Sequence, residues 1–282
     1  MNIIQSIEEM RAEVRELKKR NTIGCVPTMG SLHEGHLSLV RESVRTMDRT
    51  VVTIFVNPAQ FAPDEDFDEY PRDFAGDIKK IEKAGADTVF MPDMKKIYPP
   101  GYNTYIEVHD LQNRLCGSSR PTFFRGVCTI VLKLFNIITP DRAFFGQKDA
   151  QQAIILQRMV KDLNLDVVIE VLPIVRDADG LALSSRNAYL KTEEREAALT
   201  LFRSLRLAEK MIAEGENNAQ KIREGMIALI QSVPGTRIDY IEIVDTDELR
   251  PLEIIRGNGL IALAVYVGKA RLIDNMMINP DS

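Results

Sequence analysis

Two of the chain's three histidines stand three residues apart in Pro27-Thr28-Met29-Gly30-Ser31-Leu32-His33-Glu34-Gly35-His36, a run of mostly small and polar residues. Imidazole can donate a hydrogen bond to a phosphate oxygen and, when protonated, oppose the charge that builds as a phosphate leaves. A loop of small residues at a helix start also brings unpaired backbone N–H groups and the positive end of the helix dipole toward an anion. The segment therefore predicts a phosphate site whose donors are loop amides and the imidazoles of His33 and His36. A metal reading is weaker, because H-E-G-H lacks the H-E-x-x-H spacing that puts two imidazoles on one helical face. The plain reading, in which both histidines only cap the helix, stays open. A dinucleotide fingerprint is excluded, since G-x-G-x-x-G is absent.

Three further segments suit the same task. Phe55-Val56-Asn57-Pro58-Ala59-Gln60-Phe61 follows a β-branched run and offers Asn57 and Gln60 as neutral hydrogen-bonding groups. In Phe145-Gly146-Gln147-Lys148-Asp149-Ala150-Gln151-Gln152, Gly146 allows close backbone approach, Lys148 supplies a cation, and Gln152 lies one turn inside a helix. Leu183-Ser184-Ser185-Arg186-Asn187 groups two hydroxyls with a guanidinium, which suits an anion cradle and, equally, a helix cap.

These segments converge only if the elements before them are strands of one sheet. Residues 3–19 carry helical spacing at Ile7, Met10, Val14 and Leu17, and 22–26 is a short apolar run ending at Pro27. A helix over 36–47 and a β-branched strand over 51–56 complete a βαβ unit. The alternation continues with a helix at 74–84, a strand at 88–91, a helix at 127–138, a strand at 142–145, a helix at 149–163 and a strand at 167–171. Such a pattern predicts an α/β fold, a Rossmann-like parallel sheet covered on both faces that binds ligands at the carboxyl ends of its strands. After Pro173 runs replace alternation: helices over 192–214 and 218–231, then strands over 239–244 and 260–267. The expected division is a parallel-sheet domain over 1–175 and a smaller C-terminal α+β domain over 176–282. The acidic stretch Asp64 to Glu69 reads as a solvated loop.

Composition narrows the function classes. A net charge of −5, 45% hydrophobic residues and no Trp are the usage of an ordinary globular protein and argue against an extended nucleic-acid surface, while leaving room for a local basic pocket. The three cysteines form no C-x-x-C pair, so neither a disulfide framework nor a cysteine-rich zinc site is signalled and a reducing cytoplasm is the expected home. The N-terminal stretch lacks the apolar core of a signal peptide, and the longest apolar run, 260–267, is too short to span a bilayer.

Taken together, P-T-M-G-x-L-H-x-G-H, F-V-N-P-x-Q-F, Y-P-R-D (Tyr70 to Asp73), F-G-Q-K-D-x-Q-Q and D-G-L-A-L-S-S-R-N (Asp179 to Asn187), in that order, resemble the pantoate–β-alanine ligase family of the HIGH-motif nucleotidyltransferases. The resemblance runs over nearly the whole chain. It implies ligation of pantoate and β-alanine with ATP, through a pantoyl adenylate, with AMP and pyrophosphate released. It implies an ATP site at Met29, Gly30, His33, His36, Gly146, Gln147, Lys148, Asp149, Val175, Leu183, Ser184, Ser185 and Arg186, with His33, His36, Lys148 and Arg186 as the catalytic groups. Pantoate would be held by Gln60 and Gln152, and β-alanine by Gln60 and Arg120. Magnesium would accompany ATP, with Asp77 as its candidate ligand, and no tightly bound organic cofactor is expected. The second domain, hinged near Val175, would close as a lid, and a homodimer is implied, with no nucleic-acid or membrane partner. The family usually shows His where this chain has Phe123, which leaves His33 and His36 as the imidazoles of the site; His109, in a strand-like stretch, reads as structural.

Overall fold

The computed structural model describes residues 1–62 and 67–278. It divides into two compact units. One comprises Met1–Asn113, Gly117–Gln147 and Gln151–Pro173; the other comprises Arg114–Cys116, Lys148–Ala150 and Ile174–Ser282. Ile174 and Val175 thus go with the second unit, as do two short pieces from earlier in the chain.

The first unit is built on a parallel sheet. Its strands are β1 (Asn2–Ile4), β2 (Ile23–Thr28), β3 (Arg49–Ile54), β4 (Thr88–Phe90), β5 (Arg142–Gly146) and β6 (Val168–Leu172), in the spatial order β1-β4-β3-β2-β5-β6. The helices between them are α1 (Ile7–Leu17), α2 (Glu34–Thr46), α3 (Phe74–Ala84), α4 (Met94–Ile97), α5 (Cys116–Ser119), α6 (Phe123–Ile138) and α7 (Ala150–Asp162). Every residue of β3 from Thr50 to Ile54 is buried, as a strand covered on both faces requires. A cluster of Val26, Val40, Val52, Ile54, Ile81, Val89 and Phe144 joins the sheet to α2 and α3.

Strand order decides where a ligand can sit. From β2 the sheet grows through β3 and β4 on one side and through β5 and β6 on the other, so the switch of direction lies between β2 and β5. The β2–β5 ladder covers only Gly24 with Arg142 and Cys25 with Ala143. Pro27 explains its end. Ile23 accepts from Asp141 on the β5 side and Thr28 from Phe55 on the β3 side, so by alternation Pro27 faces β5 with no N–H to donate. The ladder ends there, at the switch point where an open parallel sheet is expected to hold a ligand.

The second unit holds α8 (Thr192–Ala213), α9 (Ala219–Gln231) and an antiparallel sheet of β7 (Thr236–Val244), β8 (Gly259–Val267) and β9 (Ala270–Ile278), with β8 central. Leu201, Leu205, Ile222, Met226, Ile243, Ile261, Leu263 and Val265 form the core between helices and sheet.

Three expectations need correction. The single helix expected over 3–19 is β1 followed by α1, which starts where the Ser6 hydroxyl accepts from the Glu9 amide. β9 had no counterpart, because its polar Asp274 and Asn275 interrupt the apolar run, yet both are buried. His109 lies in an exposed turn rather than a strand. Of the acidic stretch, Asp64, Glu65 and Asp66 lie outside the described residues, while Asp68 and Glu69 are exposed in a turn.

Candidate active site

The loop from Met29 to His33 leaves β2 at the switch point and enters α2. Gly30 (φ 84) and Ser31 (φ 53) both adopt the left-handed region, and a side chain at Gly30 would press on Asp77 at 3.1 Å and Ile54 at 3.2 Å. Asp77, from α3, holds this turn. Its Oδ2 accepts from the Ser31 amide at 2.7 Å and its Oδ1 from the Leu32 amide at 2.8 Å. Lys80, one turn on, donates to the Leu32 carbonyl at 2.8 Å.

The two histidines form a reciprocal cap on α2. His33 Nδ1 accepts from the Gly35 amide at 3.2 Å, and His36 Nδ1 accepts from the His33 amide at 3.4 Å. The rings stack at 4.1 Å between centroids. An Nδ1 that accepts carries no hydrogen, so each neutral imidazole bears its hydrogen on Nε2 and offers Nε2–H as its donor. Each ring therefore caps the helix through Nδ1 and carries its hydrogen on Nε2.

Most of the loop amides are spent. Gly30 donates to Thr28 Oγ1, Ser31 and Leu32 to Asp77, His33 to His36, Gly35 to His33, and the amides of His36 and Leu37 to the His33 carbonyl. These seven amides shape the loop, which narrows the expected amide donors to the others of the segment. The two imidazoles add side-chain donors at this end of α2.

Asp77 is also recast. It is fully buried with both oxygens bonded to loop amides, so it does not fit a hydrated magnesium ion. Among the described residues no group of three His, Cys, Asp or Glu could hold a metal. Its place is that of the brace under the histidine loop.

At the carboxyl end of β3, Asn57 caps the turn Pro58–Gln60. Asn57 is fully buried and Gln60 nearly so, at 8% exposure. The Asn57 Nδ2 donates to Gln60 Oε1 at 2.9 Å and to the Gly126 carbonyl at 3.0 Å. Gly126 is required here, because a Cβ would lie 2.0 Å from the Ala59 carbonyl oxygen as α6 crosses the turn. Arg120 donates to the Gln60 carbonyl at 3.1 Å and lies 3.9 Å over the Phe123 ring. Phe123 thus supports the guanidinium through its ring face. Gln152 is half-buried on the first turn of α7, one residue after Gln151, whose amide donates to the Leu111 carbonyl. Met29, Gly146 and Gln147 are half-buried at the ends of β2 and β5.

The second unit gathers the remaining expected residues. Val175 and Leu183 are joined by a hydrogen bond from the Leu183 amide at 3.0 Å, across a hairpin bridged at Arg176 and Ala182. Arg176 clamps this hairpin to β9 through two bonds to Asp274, at 2.6 and 2.9 Å, and Arg195 pairs with Asp177 and Asp179. The chain then enters the turn Ser185–Tyr189, capped by Ser184 Oγ accepting from the Arg186 amide at 3.3 Å. Asn275, beside Asp274, donates to the Lys148 carbonyl at 3.0 Å. β9 therefore positions both the Ser184–Arg186 turn and the backbone of Lys148, whose ammonium lies 3.5 Å from the exposed Asp149. Nothing in the local sequence signals this double role.

A parallel sheet whose switch point carries a reciprocal histidine cap, H-E-G-H, places the chain among the HIGH-motif α/β proteins. A family model for pantoate-beta-alanine ligase matches residues 2–277, and the chain belongs to that family. It is 54% identical over 279 residues to the pantothenate synthetase of Thermotoga petrophila, covering 99% of this chain and 100% of that one. It is 53% identical over 278 residues to that of Pseudothermotoga lettingae, covering 99% of each. The crystal structure of pantothenate synthetase from Thermus thermophilus matches with a TM-score of 0.93 at 39% identity, over 98% of this chain and 99% of that one. The pantoate-beta-alanine ligase of Francisella tularensis, complexed with β,γ-ATP and β-alanine, matches with a TM-score of 0.81 at 34% identity, over 100% of this chain and 98% of that one. Among the described residues no helix is long and apolar enough to cross a membrane.

Proposed function

We propose that the chain joins pantoate to β-alanine with ATP, giving pantothenate, AMP and pyrophosphate by way of a pantoyl adenylate. The observation that carries this reading is the histidine cap at the β2–β5 switch point, with two Nε2–H donors, in a chain of the pantoate–β-alanine ligase family. In the first step a pantoate carboxylate oxygen attacks the α-phosphorus, and the bond to the bridging oxygen of the leaving pyrophosphate breaks. Negative charge spreads over the phosphate oxygens, and His33, His36, Lys148 and Arg186 are the donors and cations assigned to meet it. In the second step the neutral amine of β-alanine attacks the acyl carbon, AMP leaves with the electrons of the broken C–O bond, and the new amide sheds a proton.

The remaining assignments are part of the same reading. Met29, Gly30, Gly146, Gln147, Asp149, Val175, Leu183, Ser184 and Ser185 complete the ATP site. Gln60 and Gln152 hold pantoate, whose hydroxyls and carboxylate suit two carboxamides that bind without a strong cation pinning the attacking oxygen. Gln60 and Arg120 face β-alanine. Magnesium enters as the counter-ion ATP brings. A homodimer rests on the resemblance and is checked by light scattering of the purified protein.

The test is isotope exchange between pyrophosphate and ATP, followed by AMP release on adding β-alanine. Exchange that depends on pantoate, with AMP released only when the amine is present, is the expected result. Exchange that depends instead on a phosphate monoester would make the chain a nucleotidyltransferase for a phosphorylated acceptor. ATP binding with no AMP formed when both substrates are supplied would make it a nucleotide-binding regulator.

A further inference from the structure

We infer that Tyr98 is a positioning residue that, through Asn57, sets which end of the Gln60 carboxamide a bound acid meets. This rests on the reading that Gln60 holds the acid. Tyr98 follows α4 beyond the carboxyl end of β4, and its hydroxyl lies 2.9 Å from Asn57 Oδ1. The Ala59 amide reaches the same oxygen at 3.3 Å. On the other side, Asn57 Nδ2 reaches the Gly126 carbonyl and Gln60 Oε1. All four hydrogen-bonding positions of this fully buried amide are filled.

The orientation follows from two partners whose roles chemistry forbids to change. A backbone N–H can only donate and a backbone carbonyl can only accept, so Asn57 Oδ1 must face Ala59 and Nδ2 must face Gly126. Gln60 is then met by a donor, its Oε1 is the accepting atom, and Nε2 with its two hydrogens is the end turned to a ligand. Pantoate's carboxylate and hydroxyl oxygens are acceptors, so this is the productive orientation; the flipped amide would set oxygen against carboxylate. A tyrosine hydroxyl can donate or accept, and here it must donate. Burial, with Tyr102 and Tyr105 beside it, pushes the Tyr98 hydroxyl well above its ordinary range and keeps the proton on it. Its ring is held by Phe55 at 6.2 Å and Tyr102 at 5.1 Å, with the Lys133 ammonium 5.4 Å from its centre and 4.1 Å from that of Tyr102.

The experiment is a double-mutant cycle read as the pantoate dissociation constant, with the KM for ATP as the internal control. Tyr98→Phe keeps the ring and removes the donor. It should weaken pantoate about 3- to 10-fold, the scale of one net hydrogen bond, and leave the KM for ATP unchanged. In a Gln60→Ala background the same change should have no further effect, because the route runs through Gln60. Asn57→Asp, which cannot donate, should weaken pantoate more than Tyr98→Phe does; if that variant fails to fold, the Tyr98 cycle alone decides. An unchanged pantoate constant in Tyr98→Phe, an equal rise in the KM for ATP, or an effect that persists without Gln60 would overturn the inference. If Gln60→Ala itself leaves pantoate binding intact, the reading of Gln60 fails instead.

Discussion

Replacing Asp77 by Asn tests the brace beneath the histidine loop without changing its volume. The carboxylate accepts two amides, from Ser31 and Leu32, and an amide side chain has only one oxygen to offer. One loop N–H keeps an acceptor but loses the charge on it; the other meets an NH₂ group. Losing that much charge-assisted bonding, with a buried donor left unpaired, costs about 3 kcal/mol. That equals about 150-fold in the balance between held and released loop. Ser31, held at φ 53 without being glycine, adds a tendency to relax of about 1 kcal/mol once the brace weakens. Because the chain divides into two compact units, a single unfolding midpoint is a poor gauge, and amide hydrogen exchange over residues 27–37 is the direct one. Protection of the Ser31 and Leu32 amides should fall by about two orders of magnitude, while β8 amides in the second unit keep theirs. Pantoate-dependent pyrophosphate exchange should slow in parallel as the imidazoles lose their placement. Undiminished protection at Ser31 and Leu32 in the Asn variant would refute the argument, whatever happened to activity.

Other perturbations probe the remaining parts. His36→Ala removes one Nε2–H donor and should slow single-turnover adenylate formation about 10²- to 10³-fold, with ATP affinity less affected; a wild-type rate would remove His36 from the chemistry. Asp274→Asn breaks a carboxylate that is 3% exposed and bidentate to Arg176, so the second unit should lose about 3 to 5 kcal/mol, seen as a lowered thermal transition; an unchanged transition would mean the clamp is dispensable. Burial pushes the Cys128 thiol from its ordinary value of 9.0 up to about 12 and raises Cys25 further still. The folded protein then holds protons that the unfolded chain gives up, so stability is intact below about pH 9 and falls as pH rises toward 12, by at most about 1.4 kcal/mol per pH unit per thiol. The urea midpoint of the transition that unfolds the first unit, which holds both thiols, should drop between pH 8 and pH 10.5, and Cys128→Ala should make that slope shallower; an identical slope would exclude this thiol.

Much of the fold was legible because its signals are local. α3 is bounded as the spacing predicts, with the Asp73 side chain accepting from the Gly76 amide at one end and Gly85 in the left-handed region at the other. β1 escaped notice because a three-residue edge strand has too few positions to show a period. β9 escaped because Asp274 and Asn275 look like surface residues, and their burial makes sense only once Arg176 and the Lys148 carbonyl are in place. The site was legible in its residue types and opaque in its orientations. H-E-G-H announces two imidazoles at a helix start, but that both cap through Nδ1 depends on backbone geometry.

Local spacing alone therefore determined the alternation of strands and helices, the placing of His33, His36 and Gln60 after strands, and the family the chain resembles, since side-chain period and turn chemistry act over a few residues. Tertiary structure alone decided which atoms are donors, which amides are spent and which buried groups hold the loops. Asp77 reaches Ser31 across 46 positions, Arg176 reaches Asp274 across 98, and Asn275 reaches Lys148 across 127. Bonds over such separations leave no periodic trace, because either partner alone is an ordinary polar residue until folding brings the other to it.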